Sequence, residues 1–456
     1  MAGLRAYHQE MGQWKRGAAA LATVIGGWIL CAPVPAAAQA PEAKEGWAQR
    51  ALDLQYELAS DVGFRNAPWV GTHNSFNSTK QAGVTLSARD ANQQITNVKQ
   101  LEAGVRSLEL DVHRSPDVAG TDGPIRVCHG RGADQAHFGC TTEKLLAPTL
   151  AEISEWLASP DGEGQVLLLY LEDHMGDAAG YDAAARIVEA KLGDVVFKPP
   201  PGDCSEVPQD LTRDAVRAAG KQVVIVSDCG PGTGWAEVAF NWDSHVESRP
   251  VGYEDYPDCG PDFDRAKYNS VVVRYFEDST ALSNVVGPPT GVATADDGIT
   301  PPTAAAMARC GVDLVGLDQV TGPADPRFEG LVWSWQVNRP KPGRKGERDC
   351  AVQRQGVAVA QTLGGGERSA WFDQRCRRLH RPACQSADGA WTILPQRLRQ
   401  RRADAACERG GLALGTPRTG YESQLLGEAL TAAGTRQAWL GYGRTGAAWN
   451  PTDPPG

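Results

Sequence analysis

The chain has 456 residues, 41 % of them hydrophobic, and a formal net charge of -10. That length suits one large domain plus a smaller one with ordinary cores, and the acidic balance excludes a general nucleic-acid binder. The charge is uneven, however. Residues 339–402 are rich in Arg and Lys ("RPKPGRKGER", "RCRRLHRP", "QRLRQRR"), which makes either a solvated basic face or one drawn to anionic lipid headgroups.

The N-terminus, residues 1–40, reads as a cleaved export signal. A basic segment ending at Lys15-Arg16 precedes "GAAALATVIGGWILCAPVPAAAQA", with small-residue cleavage options near Ala38 and Ala40. Pro33 and Pro35 break this stretch too early for a membrane span, so a secreted or periplasmic chain with no transmembrane segment is expected. Of 11 cysteines, Cys31 leaves with the signal, and the remaining even set predicts disulfides in an oxidising compartment. Cys128 and Cys140 flank a short loop and form a candidate local pair.

A helix is predicted over "EGWAQRALDLQYELAS". Eight short apolar runs follow: "PWVGTH", "VRSLELDVH", "IRVCHG", "QVLLLYLEDH", "KQVVIVSD", "SVVVRYFEDS", "VDLVGLDQV" and "GLVWSWQV". "TLAEISEWLAS" and "YDAAARIVEAKLG" are amphipathic helices placed as crossovers. Buried strands alternating with helices predict an α/β fold, a (β/α)8 TIM-type barrel with some distortion, over residues 41–340. A doubly wound open sheet competes less well, because no glycine-rich nucleotide loop follows the first strand. The polar, Pro- and Gly-bearing segment "NRPKPGRKGERD" then marks a boundary, and residues 341–456 read as a small Cys-containing α+β module.

Reactive residues of a parallel barrel lie at the C-terminal ends of its strands. Those positions here hold His73-Asn74, Glu109 and Asp111, His129, and Glu172-Asp173-His174. Glu109 and Asp111 are two apart on one strand and share a face. Buried together they repel, and one would be driven to protonate unless a cation compensates. With Glu172 and the Asn74 amide oxygen they make a hard oxygen set suited to Ca²⁺ rather than Zn²⁺. The competing reading is a salt bridge to Arg106 or Arg274. His73 and the cation can neutralise charge on phosphate oxygens, His129 can protonate a leaving oxygen, and Glu109 is the first choice for general base. His113 and His174, further along the same strands, are read as turned away and structural. His73 and Asn74, on successive positions, both reach the site only if the chain bends at the strand end.

"THNSF", "GVRSLELDVH", "CHG" and "VLLLYLEDH", in that order, resemble the X region of the phosphatidylinositol-specific phospholipases C, and within it the calcium-dependent kind. The likeness runs over roughly residues 66 to 340. It implies His73 and His129 as catalytic histidines and Asn74, Glu109, Asp111 and Glu172 as calcium ligands. It also implies a substrate, a phosphoinositide or related phospholipid at a membrane surface. In the implied reaction the inositol 2-hydroxyl attacks phosphorus and diacylglycerol leaves. Arg274 is a candidate phosphate contact or a structural ion pair. A glycerophosphodiester phosphodiesterase-like enzyme is the enzymatic alternative, though its "HRG" opening is absent. A non-catalytic surface or glycan-binding protein is the third reading. The segment "DAACERGGLALGTPRTGYESQLLGEALTAAGTRQAWLGY" resembles the first half of a C-type-lectin-like domain, with a trailing half placed before it; a cap without sugar binding is the plainer expectation.

Overall fold

The computed structural model describes residues 46–80, 91–114, 125–128, 144–202, 205–228, 230–232, 234–241, 272–277, 298–341, 348–358, 367–445 and 448–451. They belong to one compact unit, Lys44–Gly456. The expected export signal lies outside the described residues, as do His129 and Cys140.

The central sheet contains β1 (Trp69–Thr72), β2 (Ser107–Arg114), β4 (Leu167–His174), β5 (Val223–Ser227), β6 (Phe240–Asn241), β7 (Arg274–Phe276) and β8 (Leu314–Leu317). Their order is β6-β5-β4-β2-β1-β8-β7, and every neighbouring pair is parallel. This is the curled sheet of a TIM-type barrel. Among the described residues it has two edges, β6 and β7, so no eighth pairing closes it.

Two of the eight predicted runs lie elsewhere. "IRVCHG" supplies β3 (Ile125–Val127), which pairs antiparallel with the outer end of β2, Val112 opposite Val127. "GLVWSWQV" ends a short helix, Pro326–Leu331, and then sends Trp335 into a bridge with Trp371 of a second sheet. Both runs are apolar enough for a barrel strand, but burial can be met by any sheet, and hydrophobicity alone does not say which. β6, two residues long, is too short to leave a periodic signal.

Register sorts the strand residues into layers inside the barrel. Trp69 pairs with Leu314 and Gly71 with both Gly316 and Ser107, while Glu109 pairs with Tyr170 and Asp111 with Glu172. The lower interior is apolar: Trp69, Leu168, Val224 and Leu314 are all buried. Midway up, the Phe276 ring crosses the barrel against Gly316, where a Cβ would stand 1.9 Å from it. The lower opening is plugged by buried Arg213, which donates to the Tyr56 and Ala59 carbonyls at 2.8 and 3.0 Å. Its guanidinium lies 3.9 Å from the Tyr56 ring centroid. The upper layer is polar, and buried Arg274 also enters the interior, in register with Leu314.

Crossover helices start on capping side chains, as at Asp177, Thr212 and Thr300, each of which accepts a backbone N–H of the first turn. The second sheet has β9 (Arg348–Ala358), β10 (Glu367–Arg375), β11 (Arg381–Gln385), β12 (Trp391–Ile393), β13 (Ala413–Leu414) and β14 (Gln437–Thr445), in the order β10-β9-β14-β11-β12 with β13 also paired to β11. Disulfides Cys350–Cys376 and Cys384–Cys407 hold it, and Cys128 and Cys310 are also disulfide-bonded.

This sheet packs under the N-terminal ends of the barrel strands. Trp335 is fully buried, with ring centroids 5.6 Å from Trp371 and 4.7 Å from Trp449. Arg339 pairs with Asp373 at 2.6 Å and Arg418 with Asp61 at 2.7 Å. Gly420 lies so close to the Ala308 carbonyl that a Cβ would stand 1.9 Å from it. Asp61 precedes β1 and Ala308 precedes β8, so both mark the end of the barrel opposite its mouth.

Candidate active site

At the mouth, the last residues of β1, β2, β4 and β8 converge. β1 ends at Thr72, and Asn74 then adopts φ 43°, in the left-handed region that asparagine tolerates better than most residues. This is the bend the adjacent His73 and Asn74 required. The turn is fastened to β2 twice: the Ser75 N–H donates to the Glu109 carbonyl at 3.0 Å, and the Glu109 N–H donates to the Ser75 hydroxyl at 2.9 Å. The Asn74 N–H donates to Glu109 Oε2 at 3.0 Å. His73 Nε2 stands 3.8 Å from the same oxygen. The Asn74 amide lies 3.0 and 3.2 Å from the two Asp111 carboxylate oxygens. With its nitrogen on that side it donates to both; with its oxygen there, three oxygens face one another and call for a cation between them.

Burial and charge make this cluster costly. Glu109 and Asp111 are 1 % and 2 % exposed. Burial, reinforced by Glu172 and then Glu109, pushes the Asp111 carboxyl well above the ordinary range, against the pull of His73. Glu172 is the register partner of Asp111, and its carboxylate meets His174 Nε2 at 2.9 Å. Among the described residues no three His, Cys, Asp or Glu side chains stand at metal-holding distances. Asn74 touches both Glu109 and Asp111, and Glu172, which meets His174, adds the strongest like charge felt by Asp111.

His113 and His174 are not turned away. Each lies two residues beyond a site acid, so strand alternation returns it to the acid's face. They pair in register, with ring centroids 4.5 Å apart. Burial opposes charge on His174, but the Glu172 hydrogen bond and charge carry its imidazole above the ordinary value. Asp173, on the other face, is pushed to about 8 by burial and then by Asp228. Arg274, buried in β7, lies over the Tyr170 ring at 5.3 Å and the Phe276 ring at 5.8 Å. Arg106 faces Asp53 at 3.7 Å.

One functional group escaped the sequence reading. Asp318, just past β8 and 1 % exposed, holds His73 Nδ1 at 3.2 and 3.3 Å. Asn92 donates to its Oδ2 at 3.1 Å, and its own N–H donates to Glu277 Oε2 at 2.6 Å. Gln93 ties the two strand ends together by donating to the carbonyls of His73 and Leu317 at 2.7 and 2.8 Å. The available signal was positional: Asp318 ends β8 as His73 ends β1, inside the run "VDLVGLDQV". Asn92 and Gln93 sit in an aperiodic loop and carried no signal at all.

The family model described as the Rv2075c PI-PLC-like domain matches residues 30–325. "Uncharacterized protein Rv2075c" of Mycobacterium tuberculosis (strain ATCC 25618 / H37Rv) is 36 % identical over 414 residues, spanning 87 % of this chain and 80 % of its own. Solved structures with a similar fold are more distant. A Staphylococcus aureus phosphatidylinositol-specific phospholipase C aligns over 62 % of this chain and 98 % of its own, with 12 % identity and a TM-score of 0.43. The Listeria monocytogenes enzyme covers 61 % and 97 %, with 14 % identity and a TM-score of 0.41. A calcium-dependent phosphoinositol-specific phospholipase C from Pseudomonas sp covers 60 % and 95 %, with 14 % identity and a TM-score of 0.28. On the family match and the mycobacterial relative, this chain belongs to the Rv2075c PI-PLC-like domain family.

Proposed function

We propose that the protein is an exported calcium-dependent phosphodiesterase that cleaves phosphatidylinositol or a related phosphodiester to diacylglycerol and a cyclic inositol phosphate. One observation carries this reading: two buried carboxylates and an amide packed together beside a histidine that a buried aspartate orients. Such an arrangement is unfavourable by itself and becomes favourable around a cation and an anionic substrate.

Asn74, Glu109, Asp111 and Glu172 would hold the ion, and their oxygen-only chemistry fits Ca²⁺. When bound, it supplies positive charge to the phosphate's non-bridging oxygens and to the attacking hydroxyl. The chain's own groups do the rest. Asp318 fixes the His73 ring, so that Nε2 points at the site and, protonated, donates to a phosphate oxygen. Glu109 takes the proton of the inositol 2-hydroxyl as its oxygen bonds to phosphorus. The phosphorus–oxygen bond to the glycerol moiety breaks, and His129 supplies the proton that oxygen needs. Water then opens the cyclic product by the reverse proton path.

Glu172→Gln tests the ligand assignment. The variant should lose turnover and bind calcium at least tenfold more weakly in a calorimetric titration of the full chain. Wild-type calcium affinity with wild-type turnover would remove Glu172 from the site.

A further inference from the structure

The turn that joins β10 to β11 places Arg375, Arg377 and Arg378 within four positions and then exposes Leu379. Leu379 is 56 % exposed, one of two large hydrophobic side chains standing so open among the described residues. The turn is held in place, because Cys376 within it is bonded to Cys350 of β9. A shallow cleft of about 900 Å³ adjoins it, lined also by Lys341.

The acids of that cleft are already engaged. Asp349 pairs with Arg444 at 2.9 Å and Asp373 with Arg339 at 2.6 Å. The neighbouring His380 registers the resulting field: burial, with Arg397 and Arg378, pushes its imidazole down to about 4. What faces solvent is a fixed cluster of cations with an apolar tip. All of it lies beyond the stretch matched by the family model, residues 30–325.

We propose that this turn is a docking surface for an anionic lipid bilayer. Arginine forks engage phosphodiester headgroups in pairs of hydrogen bonds, and a projecting leucine enters the headgroup–acyl boundary. A soluble phosphate would use the charges and leave Leu379 without a role. The patch belongs to the module packed beneath the barrel, so docking and cleavage are separable, and the test reads binding rather than turnover.

The full chain is sedimented with vesicles of phosphatidylglycerol and phosphatidylcholine, or of phosphatidylcholine alone, at low and high salt. Binding should require phosphatidylglycerol and weaken steeply with salt. Arg377→Glu/Arg378→Glu should lower partitioning by about tenfold or more, each basic residue near an anionic surface contributing several-fold. Leu379→Ser should lower it several-fold at unchanged charge. Arg186→Glu/Lys191→Glu makes the same charge change on exposed positions of helix Ala178–Leu192 and should leave it unaltered. Unchanged thermal unfolding of each variant keeps misfolding from mimicking the result. Three outcomes would overturn the proposal: no binding to phosphatidylglycerol vesicles, equal loss in both charge-reversed pairs, or a silent Leu379→Ser with full competition by soluble polyphosphate.

Discussion

The two ends of the barrel are built on opposite principles. At the lower end apolar surface dominates and several buried charges find partners: Arg213 donates to carbonyls and stacks on Tyr56, Arg339 faces Asp373, and Trp335 is enclosed by Trp371 and Trp449. At the mouth, like charges are buried side by side, and burial, reinforced by that company, forces Asp111 well above its ordinary range. The contrast teaches where stability and chemistry reside. One end holds the chain together, and the other crowds buried acids at a cost to stability.

Substitutions at the two ends should therefore move different observables. Asp111→Asn is predicted to lower turnover by about 10³-fold, the scale of losing a main electrostatic contributor. It should also raise the melting temperature of the calcium-free chain, since a buried repulsive charge is gone. A variant that melted lower while keeping its activity would break the contrast. At the other end, Trp335→Ala should cost about 3–5 kcal/mol of stability, as large-to-small core substitutions do, with calcium affinity unchanged in the folded protein. Denaturant unfolding and calcium titration read the two quantities separately.

Asp318→Asn probes the link between the histidine and its buried partner. Turnover should fall by about 10²-fold, as for a lost general-acid or orienting group, with calcium binding intact. A parallel fall in calcium affinity would instead make Asp318 part of the ion's site. The smallest effect concerns pH. Burial pushes Glu277 up to about 7 against the attraction of Arg327, which pairs with it at 2.9 Å. An acid raised on folding contributes stability that is complete below its unfolded range and lost as pH rises through its folded value. Glu277→Gln should thus gain on the wild type by about 1–3 kcal/mol between about pH 5 and about pH 8. A stability difference flat across that range would show that Glu277 titrates normally.

Much of the barrel was legible because its strands are buried on both faces and read as unbroken apolar runs, as "QVLLLYLEDH" does for β4. The antiparallel β3 and the Trp335 bridge were not, since an apolar run does not name its partner. Within the site, the acids stood out because charges are rare inside a barrel. His113 and His174 were misplaced by an error of strand parity that the register of β2 with β4 corrects. Asp318 was hidden by distance along the chain: 245 residues separate it from His73, and only folding makes them neighbours. The bend at Asn74 was deducible as a need, but its left-handed backbone was not.

We propose that the crowded acids of the mouth serve calcium-dependent phosphodiester cleavage. Purified protein incubated with phosphatidylinositol, with calcium or with chelator, and followed by phosphorus NMR, tests it most directly. A cyclic inositol phosphate and diacylglycerol should appear only when calcium is present. Cleavage that persists in chelator would contradict the role given to the acids, and no cleavage in either condition would contradict the function itself.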